Sequence, residues 1–232
     1  MATTRPQSAE IEPLMVDQAY ALIRHDILTC KLTPGASISE SLLAERYGFG
    51  KAPIRAALSR LKQEGLVHSS PRRSYIVTPI TLRDVHELYE LRLVLEPACC
   101  RLAAGKVDAT HLAQLDAICK LGYTPGDPDS TLRFLDANQR FHLTVAQATG
   151  NRRLLRMLAQ VLDEMTRVMH IGLGERNRNA EMQHEHASLL EALQAGDGKQ
   201  AADLCEEQIV ASRDMVISAI LNSPELLNTP IG

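Results

Sequence analysis

The stretch that decides the fold is Gly48-Phe-Gly-Lys-Ala-Pro-Ile-Arg-Ala-Ala-Leu-Ser-Arg-Leu-Lys-Gln-Glu-Gly-Leu-Val67. It predicts a turn and then a short helix, because Pro53 is tolerated in the first helical turn and Gly65 is typical of a helix end. Apolar side chains at helical spacing would form one buried face: Ile54, Leu58 and Leu61. The opposite face is polar and basic: Lys51, Arg55, Ser59 and Lys62. This pattern is typical of a helix that enters the major groove of DNA, although a solvated surface helix would share it.

The flanking segments favour DNA binding. Residues 15–30 carry apolar side chains at helical spacing, and Ser39 can cap a second helix that extends to Tyr47. After the basic helix, two short strands are predicted at 66–68 and 75–77, around a polar, basic turn. Three helices followed by a basic hairpin form a winged helix-turn-helix.

This part of the chain resembles the N-terminal domain of GntR-family bacterial transcription regulators. The resemblance is carried by Leu32-Thr33-Pro34-Gly35, Ser39-Glu40, Leu43-Ala44, Pro53-Ile54-Arg55, Ala57-Leu58, Leu61, Glu64-Gly65-Leu66-Val67 and Arg72-Arg73. It implies DNA contacts from Ser41, Lys51, Ala52, Arg55, Arg72 and Arg73. The family usually has Ser or Thr and then Arg where this chain has Gly50 and Lys51. It also has Glu at the position of Ala56 and Gly at that of Ser74, so we expect a less typical operator.

Composition sets the wider class of protein. The chain has 232 residues, 3% aromatic residues and no Trp, which favours an aliphatic, all-helical core. Net charge is −3 overall, but residues 1–80 carry 10 basic against 7 acidic side chains, which suits a nucleic-acid reader joined to an acidic body. The five cysteines have no CxxC spacing and are expected to be reduced and mostly buried, with a redox sensor as the alternative. No run is long and apolar enough to span a membrane, so we expect a cytoplasmic protein.

The remainder of the chain predicts a helical bundle. Thr81 and Asp84 can form a capping box that opens a long helix, and five more helices are expected at about 108–122, 131–148, 151–171, 178–195 and 198–221. Residues 123–130 are predicted to form a loop, and Gly172 and Gly174 are expected to break the fourth of the six helices. The fold class is therefore mainly α, with a winged helix-turn-helix followed by an antiparallel bundle.

The bundle resembles the FCD ligand-binding domain of the FadR subgroup. The matching motifs are Glu90-Leu91-Arg92, Leu95-Glu96-Pro97, Phe141-His142, Gly150-Asn151, Glu185-His186 and Ala195-Gly196-Asp197 followed by Ala201-Ala202. The predicted organisation is a disordered tail (1–13), a DNA-binding domain (14–79), an effector-binding and dimerisation domain (80–222) and a second tail (223–232).

Four polar side chains are predicted to point from three helices into the bundle interior: Asn138, His142, His186 and Gln208. Because a buried polar group without a partner costs about 1–3 kcal/mol, they should meet one another, a water or an ion. The FCD resemblance implies a divalent metal such as zinc, nickel or manganese at these positions. Gln208 replaces the usual fourth ligand, His, so the affinity should be lower. The alternatives are a hydrogen-bonded polar cluster that binds the effector directly, or histidines with a purely structural role.

Two further residues are candidates for effector binding. Arg92 either clamps a carboxylate effector or forms an i, i+4 ion pair with Glu96. Tyr89 is a weaker candidate on the adjoining helix face.

The expected function is a ligand-responsive transcription regulator. It would be a homodimeric repressor of a catabolic operon that leaves an inverted-repeat operator when a small carboxylate or sugar acid binds. The alternative is a helical-bundle metalloenzyme with a DNA-binding appendage, but no carboxylate is placed as a general base and the Glu-x-x-His pairs of di-iron bundles are absent. An enzyme is therefore not the expected class.

Overall fold

A computed structural model describes residues 8–70, 74–175 and 177–222. The chain forms two compact units, one ending at Ile80 and the other beginning at Thr81. Both are mainly helical, as predicted. Among the described residues, no helix is long and apolar enough to cross a membrane.

The first unit is a winged helix-turn-helix. Its elements are α1 (Ser8–Leu28), β1 (Ser37–Ser39), α2 (Glu40–Tyr47), α3 (Lys51–Gln63), β2 (Val67–Ser70) and β3 (Ser74–Val77). The strands form an antiparallel sheet in the order β1-β3-β2, with Ser37 opposite Ile76 and Val67 opposite Val77. The core is aliphatic and includes Ile23, Ile27, Leu43, Ile54, Leu58 and Leu61, all fully buried. This core holds α3 by one face only.

Two features of this unit differ from the sequence prediction. Helix α1 begins at Ser8, so residues 8–13 are helical rather than part of a disordered tail; residues 1–7 lie outside the described chain. Strand β1 was not predicted, because its three residues bury only Ile38 and it is ordered by pairing with β3. The tail predicted at 223–232 also lies outside the described residues.

The described part of the second unit is a bundle of six helices. They are α4 (Leu82–Ala103), α5 (Ala109–Cys119), α6 (Pro128–Ala148), α7 (Arg152–Glu175), α8 (Asn179–Ala195) and α9 (Gly198–Asn222). Helix α4 packs against α6, α7 and α9, while α5 packs against α6 and α8. Thr81 and Asp84 form the predicted capping box at the start of α4. Helix α4 is therefore the centre of the bundle.

Three helix boundaries in this unit were predicted wrongly. Helix α5 ends at Cys119 rather than near 122. Helix α6 begins at Pro128 rather than near 131, because the Asp127 carboxylate accepts hydrogen bonds from the main-chain N–H groups of Asp129 and Ser130. Helix α7 continues through Gly172 and Gly174 to Glu175. At Gly172 the missing side chain serves packing, since a Cβ atom there would lie 2.8 Å from Cγ2 of Val216 on α9.

These two glycines give a matched pair of stability variants. Gly172→Ala is expected to destabilise the protein by about 1 kcal/mol, because the overpacking cost exceeds the gain in helix propensity. Gly174→Ala is expected to stabilise it by about 0.5–1 kcal/mol, because a Cβ atom added there would meet nothing within 4 Å. Urea denaturation followed by circular dichroism would measure both. Stabilisation by both substitutions would contradict the close approach of α7 and α9.

The five cysteines are free, as predicted. Cys99, Cys100, Cys119 and Cys205 are buried, and Cys30 is half-buried. Burial raises the pKa of Cys99 and of Cys119 to about 12, which makes both thiols poor nucleophiles at neutral pH. These side chains act as small hydrophobic core residues.

Candidate functional site

Helix α3 presents an exposed polar face. Ile54, Leu58 and Leu61 are fully buried, whereas the opposite side chains are exposed: Lys51, Ala52, Arg55, Ser59 and Lys62. Ser41 on α2 is exposed as well. Gly50 caps α3 without a side-chain hydrogen bond, so the first N–H groups of the helix receive no capping hydroxyl. The result is a helix that is anchored on one face and open to a ligand on the other.

Arg55 is held in place by an acidic residue. Its Nε and Nη2 donate to the two carboxylate oxygens of Glu40, at 2.8 and 2.7 Å. Glu40 is buried at the start of α2, but the Arg55 side chain remains 59% exposed. This bidentate pair orients the guanidinium and leaves its outer N–H groups available to another acceptor.

The wing is described only in part. Strands β2 and β3 pair from Val67–Val77 to Ser70–Ser74, and His68 and Ser69 are exposed. Arg72 and Arg73, the basic residues predicted for the wing, lie outside the described residues. Their predicted role in DNA contact stays a prediction.

In the second unit, the structure brings five predicted side chains around one small space, called here the inner cavity. Its volume is about 20 Å³, enough for about one water molecule. The predicted residues that line it are Arg92, Asn138, His142, His186 and Gln208; the others are Met169, Arg178, Met182, Glu185 and Ser212. The sixth predicted residue, Tyr89, does not line the cavity, because its hydroxyl lies 2.7 Å from the Ser212 hydroxyl behind the cavity wall.

His142 and Arg92 share one buried carboxylate. Arg92 Nε donates to Glu96 Oε1, and His142 Nδ1 lies 2.9 Å from Glu96 Oε2. Burial alone would raise the pKa of Glu96, but the charges of Arg92 and His142 hold it at about 2. Because an ionised carboxylate only accepts hydrogen bonds, His142 carries a proton on Nδ1. Arg92 thus forms the predicted i, i+4 pair and also faces the cavity.

His186 has a similar but looser arrangement. Its Nδ1 lies 3.8 Å from Asp116 Oδ1, and Lys120 Nζ lies 2.7 Å from Asp116 Oδ2. The ring stacks on Phe141 with centroids 4.5 Å apart. Burial, with a smaller contribution from His142, lowers the pKa of His186 to about 3, so the imidazole is neutral at physiological pH. Neither His186 Nδ1 nor Asp116 Oδ1 has a hydrogen-bond partner among the described residues.

Two amide oxygens complete the set of acceptors. Asn138 Oδ1 is buried and has no hydrogen-bond partner among the described residues. Gln208 Nε2 donates to the main-chain oxygen of Glu185 at 2.7 Å, which leaves Gln208 Oε1 as the free acceptor of this amide. The two amide oxygens are therefore neutral acceptors on the lining of the inner cavity, which the imidazoles of His142 and His186 also line.

Sequence reasoning missed the second arginine of the cavity, Arg178. It precedes α8, is only 2% exposed, and donates to Glu181 Oε2 at 2.7 Å and to Glu185. Its main-chain N–H donates to the Tyr123 hydroxyl at 2.9 Å. No spacing in the sequence marks this residue, because it lies in a connection whose path is set by the surrounding helices.

A winged helix-turn-helix whose recognition helix is open on its polar face is typical of a DNA-binding protein. The family profile described as "Bacterial regulatory proteins, gntR family" matches residues 15–77, and the profile "FCD domain" matches residues 87–211. The chain therefore belongs to the GntR family of transcription regulators and carries an FCD effector-binding domain. It is a regulator, and the metalloenzyme alternative is wrong.

Individual relatives agree with this assignment. The chain is 29% identical over 150 residues to the HTH-type transcriptional regulator YdhC of Bacillus subtilis (strain 168), covering 63% of this chain and 66% of the relative. It is 25% identical over 213 residues to the HTH-type transcriptional repressor GlaR of Escherichia coli (strain K12), covering 87% and 95% of the two chains. The solved structure of E. coli McbR/YncC has the same fold, with a TM-score of 0.69 at 23% identity, covering 88% of this chain and 97% of that one.

Proposed function

We propose that this protein is a repressor of a catabolic operon. As a homodimer it binds an inverted-repeat operator, and it leaves the operator when a small carboxylate or sugar acid binds to the FCD domain. The observation that carries the proposal is the exposed polar face of α3, which the core of the winged helix-turn-helix anchors on its other side. The buried arginines of the second unit, Arg92 and Arg178, support an anionic effector. The name of the relative GlaR, a repressor, supports the sign of regulation. Coupling between effector and operator would be worth about 1–3 kcal/mol.

The DNA contacts of the proposal come from the exposed face of α3. Arg55 suits a guanine edge, because a guanidinium can donate to two acceptors of this base. Lys51 and the N–H groups at the start of α3 suit backbone phosphates, to which Ser41 would add a hydroxyl. Two such helices in a dimer read two half-sites of opposite direction.

The residues of the inner cavity fit a weakly held divalent metal. His142 Nδ1 lies 2.9 Å from Glu96 Oε2, so a neutral His142 would offer Nε2 to an ion. His186, whose imidazole is neutral, would be the second nitrogen donor. Asn138 Oδ1 is an orphaned buried oxygen, and Gln208 Oε1 is a second neutral oxygen ligand. Two nitrogen and two oxygen donors suit zinc, nickel or manganese, and their lack of charge lowers the affinity. When bound, the metal would supply a positive centre for an effector carboxylate.

Exposed apolar side chains on helix α4 are the evidence in favour of the proposed dimer. Leu91, Val94 and Leu102 lie on one face of this helix and are 45%, 68% and 48% exposed. Leu91 and Val94 also line a surface groove of about 590 Å³ together with Glu87, Glu90 and Leu93. A contiguous apolar stripe on a central helix is typical of a protein–protein interface. A second copy of α4 would cover it around a two-fold axis.

Val94→Asp is expected to weaken the dimer at least about 100-fold, because it places two buried charges across the two-fold axis. Analytical ultracentrifugation of the full chain would measure the dissociation constant. Leu121→Asp is the matched control, because Leu121 is 84% exposed but lies beyond the end of α5. If the dissociation constant of the dimer is the same in Val94→Asp as in wild type, the proposal that α4 forms the interface is wrong.

The experiment that tests the proposed function is selection of bound sequences from random double-stranded DNA. We expect an inverted repeat, bound by two chains. A selected site without two-fold symmetry would contradict the dimeric mode, and the absence of any enriched site would contradict the proposed operator.

A further inference from the structure

Helix α3 carries two exposed arginines, and their guanidinium groups have different partners. Arg60 is directed to α1, where its Cζ lies 3.7 Å from the centroid of the Tyr20 ring and its Nη1 lies 3.3 Å from Asp17 Oδ1. Arg55 lies on the face that is open to DNA, and its side chain is 59% exposed. The ammonium of Lys51 is a point charge, which does not match two acceptors of one base as a planar guanidinium does. Base recognition by the side chains of α3 therefore depends mainly on Arg55.

The contact with Glu40 occupies one edge of the Arg55 guanidinium. Nε and Nη2 donate to the two carboxylate oxygens at 2.8 and 2.7 Å. A guanidinium has five N–H donors, so the three that this contact does not use lie on Nη1 and on the outer side of Nη2. Nη1 and Nη2 can donate side by side to O6 and N7 of a guanine. Glu40 therefore leaves available the pair of N–H groups that a guanine requires.

Glu40 also limits the other contacts that Arg55 can make. Glu40 is 9% exposed and lies in the first turn of α2, which the Ser39 hydroxyl caps. Its carboxylate offsets the charge of the guanidinium at close range, so that Arg55 gains little from a backbone phosphate. An unpaired arginine binds phosphates in DNA of any sequence, whereas a paired and oriented one gains mainly from a base that presents two acceptors.

We propose that Glu40 determines the sequence specificity of the operator interface, because it orients Arg55 toward one guanine of each half-site and restrains it from non-specific phosphate contacts. The proposal deepens the proposed function and rests on it. Glu40 is a positioning residue, since it acts through Arg55 and needs no contact with DNA. Loss of its carboxylate should therefore lower the discrimination between sequences and raise the affinity for non-specific DNA.

Fluorescence anisotropy of the full chain with the operator selected from random DNA tests the proposal. Each guanine is replaced in turn, in both half-sites, by 7-deazaguanine, which lacks the N7 acceptor but keeps its Watson–Crick edge. Wild-type protein is expected to bind at least about fivefold more weakly when one particular guanine is replaced. In Glu40→Gln the same replacement should weaken binding less than about twofold, because Arg55 is no longer oriented. The affinity of this variant for a duplex of unrelated sequence should rise at least about twofold.

Salt dependence separates the charge of Glu40 from its geometry. For non-specific DNA, the plot of log affinity against log salt concentration should steepen by about 0.9 per chain in Glu40→Gln, as expected for one more phosphate contact. Glu40→Asp keeps the charge but shortens the reach by one methylene group. It should therefore lose the guanine discrimination and keep the wild-type slope, and it provides the test if Glu40→Gln does not fold.

Asp26→Asn is the matched control. Asp26 is another buried carboxylate of this unit, 8% exposed, and it accepts hydrogen bonds from Arg46 Nη2 at 2.8 Å and from the Tyr47 hydroxyl at 2.7 Å. The variant removes the same charge from an arginine–carboxylate pair that lies between α1 and α2. It should lower stability but keep the guanine discrimination of wild type.

Each contrary outcome has its own meaning. If 7-deazaguanine weakens binding equally in wild type, Glu40→Gln and Glu40→Asp, the role of Glu40 is purely structural and the proposal is wrong. It is also wrong if no guanine replacement weakens wild-type binding, or if Asp26→Asn loses the discrimination to the same extent. An unchanged or shallower salt slope in Glu40→Gln overturns the restraint on phosphate contacts. If selection yields no enriched site, the proposed function itself fails and the role of Glu40 fails with it.

Discussion

Replacing Arg55 by alanine is expected to abolish specific operator binding while the protein remains folded. The Arg55 side chain is 59% exposed on α3 and its guanidinium is oriented by Glu40. Loss of one base-contacting arginine costs about 1–3 kcal/mol, and a dimer loses two, so affinity should fall by about 30-fold to 20,000-fold. Fluorescence anisotropy with the selected operator would measure the change at a fixed salt concentration.

The controls for this experiment use the same helix. Arg60 is also exposed on α3, but its guanidinium lies over the Tyr20 ring and pairs with Asp17, so Arg60→Ala should keep most of the operator affinity. Arg55→Ala removes the bidentate contact to the buried Glu40 carboxylate and is therefore expected to lower stability. The double variant Arg55→Ala, Glu40→Ala removes that cost and should still fail to bind. Operator affinity like that of wild type in either Arg55 variant would rule out the groove contact.

Replacing His186 by alanine is expected to remove bound metal from the FCD domain. Untagged wild-type protein, purified without chelators and supplied with zinc, nickel or manganese, should contain about one ion per chain by mass spectrometry. His186→Ala should contain less than about a tenth of that, because the loss of one imidazole leaves a single nitrogen donor. Gln208→His should tighten metal binding at least about tenfold, because it supplies a third imidazole.

His184 provides the control for the metal measurement. It lies on the same helix as His186 but is exposed, so His184→Ala should keep the wild-type metal content. If wild-type protein contains no metal by mass spectrometry after zinc, nickel and manganese have been added, the proposed metal site is wrong. His142, His186 and Gln208 would then act as hydrogen-bonding groups toward the effector.

The winged helix-turn-helix was predictable because local signals and the buried pattern agree. Pro53, the spacing of Ile54, Leu58 and Leu61, and the Ser39 cap each specify the same elements. Strand β1 could not be predicted, since Ser37-Ile-Ser39 has almost no strand signal of its own and exists through its pairing with β3. Similarly, Gly172 is typical of a helix end in the sequence, whereas tertiary packing against Val216 keeps it inside α7.

The residues that line the inner cavity could be predicted when helical spacing or the FCD resemblance pointed to them. Asn138 and His142 are four residues apart on α6, and His186 and Gln208 follow on α8 and α9. The second carboxylate, Asp116, was not predicted, because its contact with His186 depends on how α5 packs against α8. Arg178 was missed for the same reason. Sequence periodicity indicates which face of a helix is buried, but the partners across an interface depend on the tertiary arrangement.

The small volume of the inner cavity has a consequence for timing. A space of about 20 Å³ does not hold a small carboxylate or sugar acid, so the proposed effector would bind there only with a rearrangement of the lining residues. If that rearrangement comes before binding, the rate of the response is expected to level off at high effector concentration, at the rate of the rearrangement.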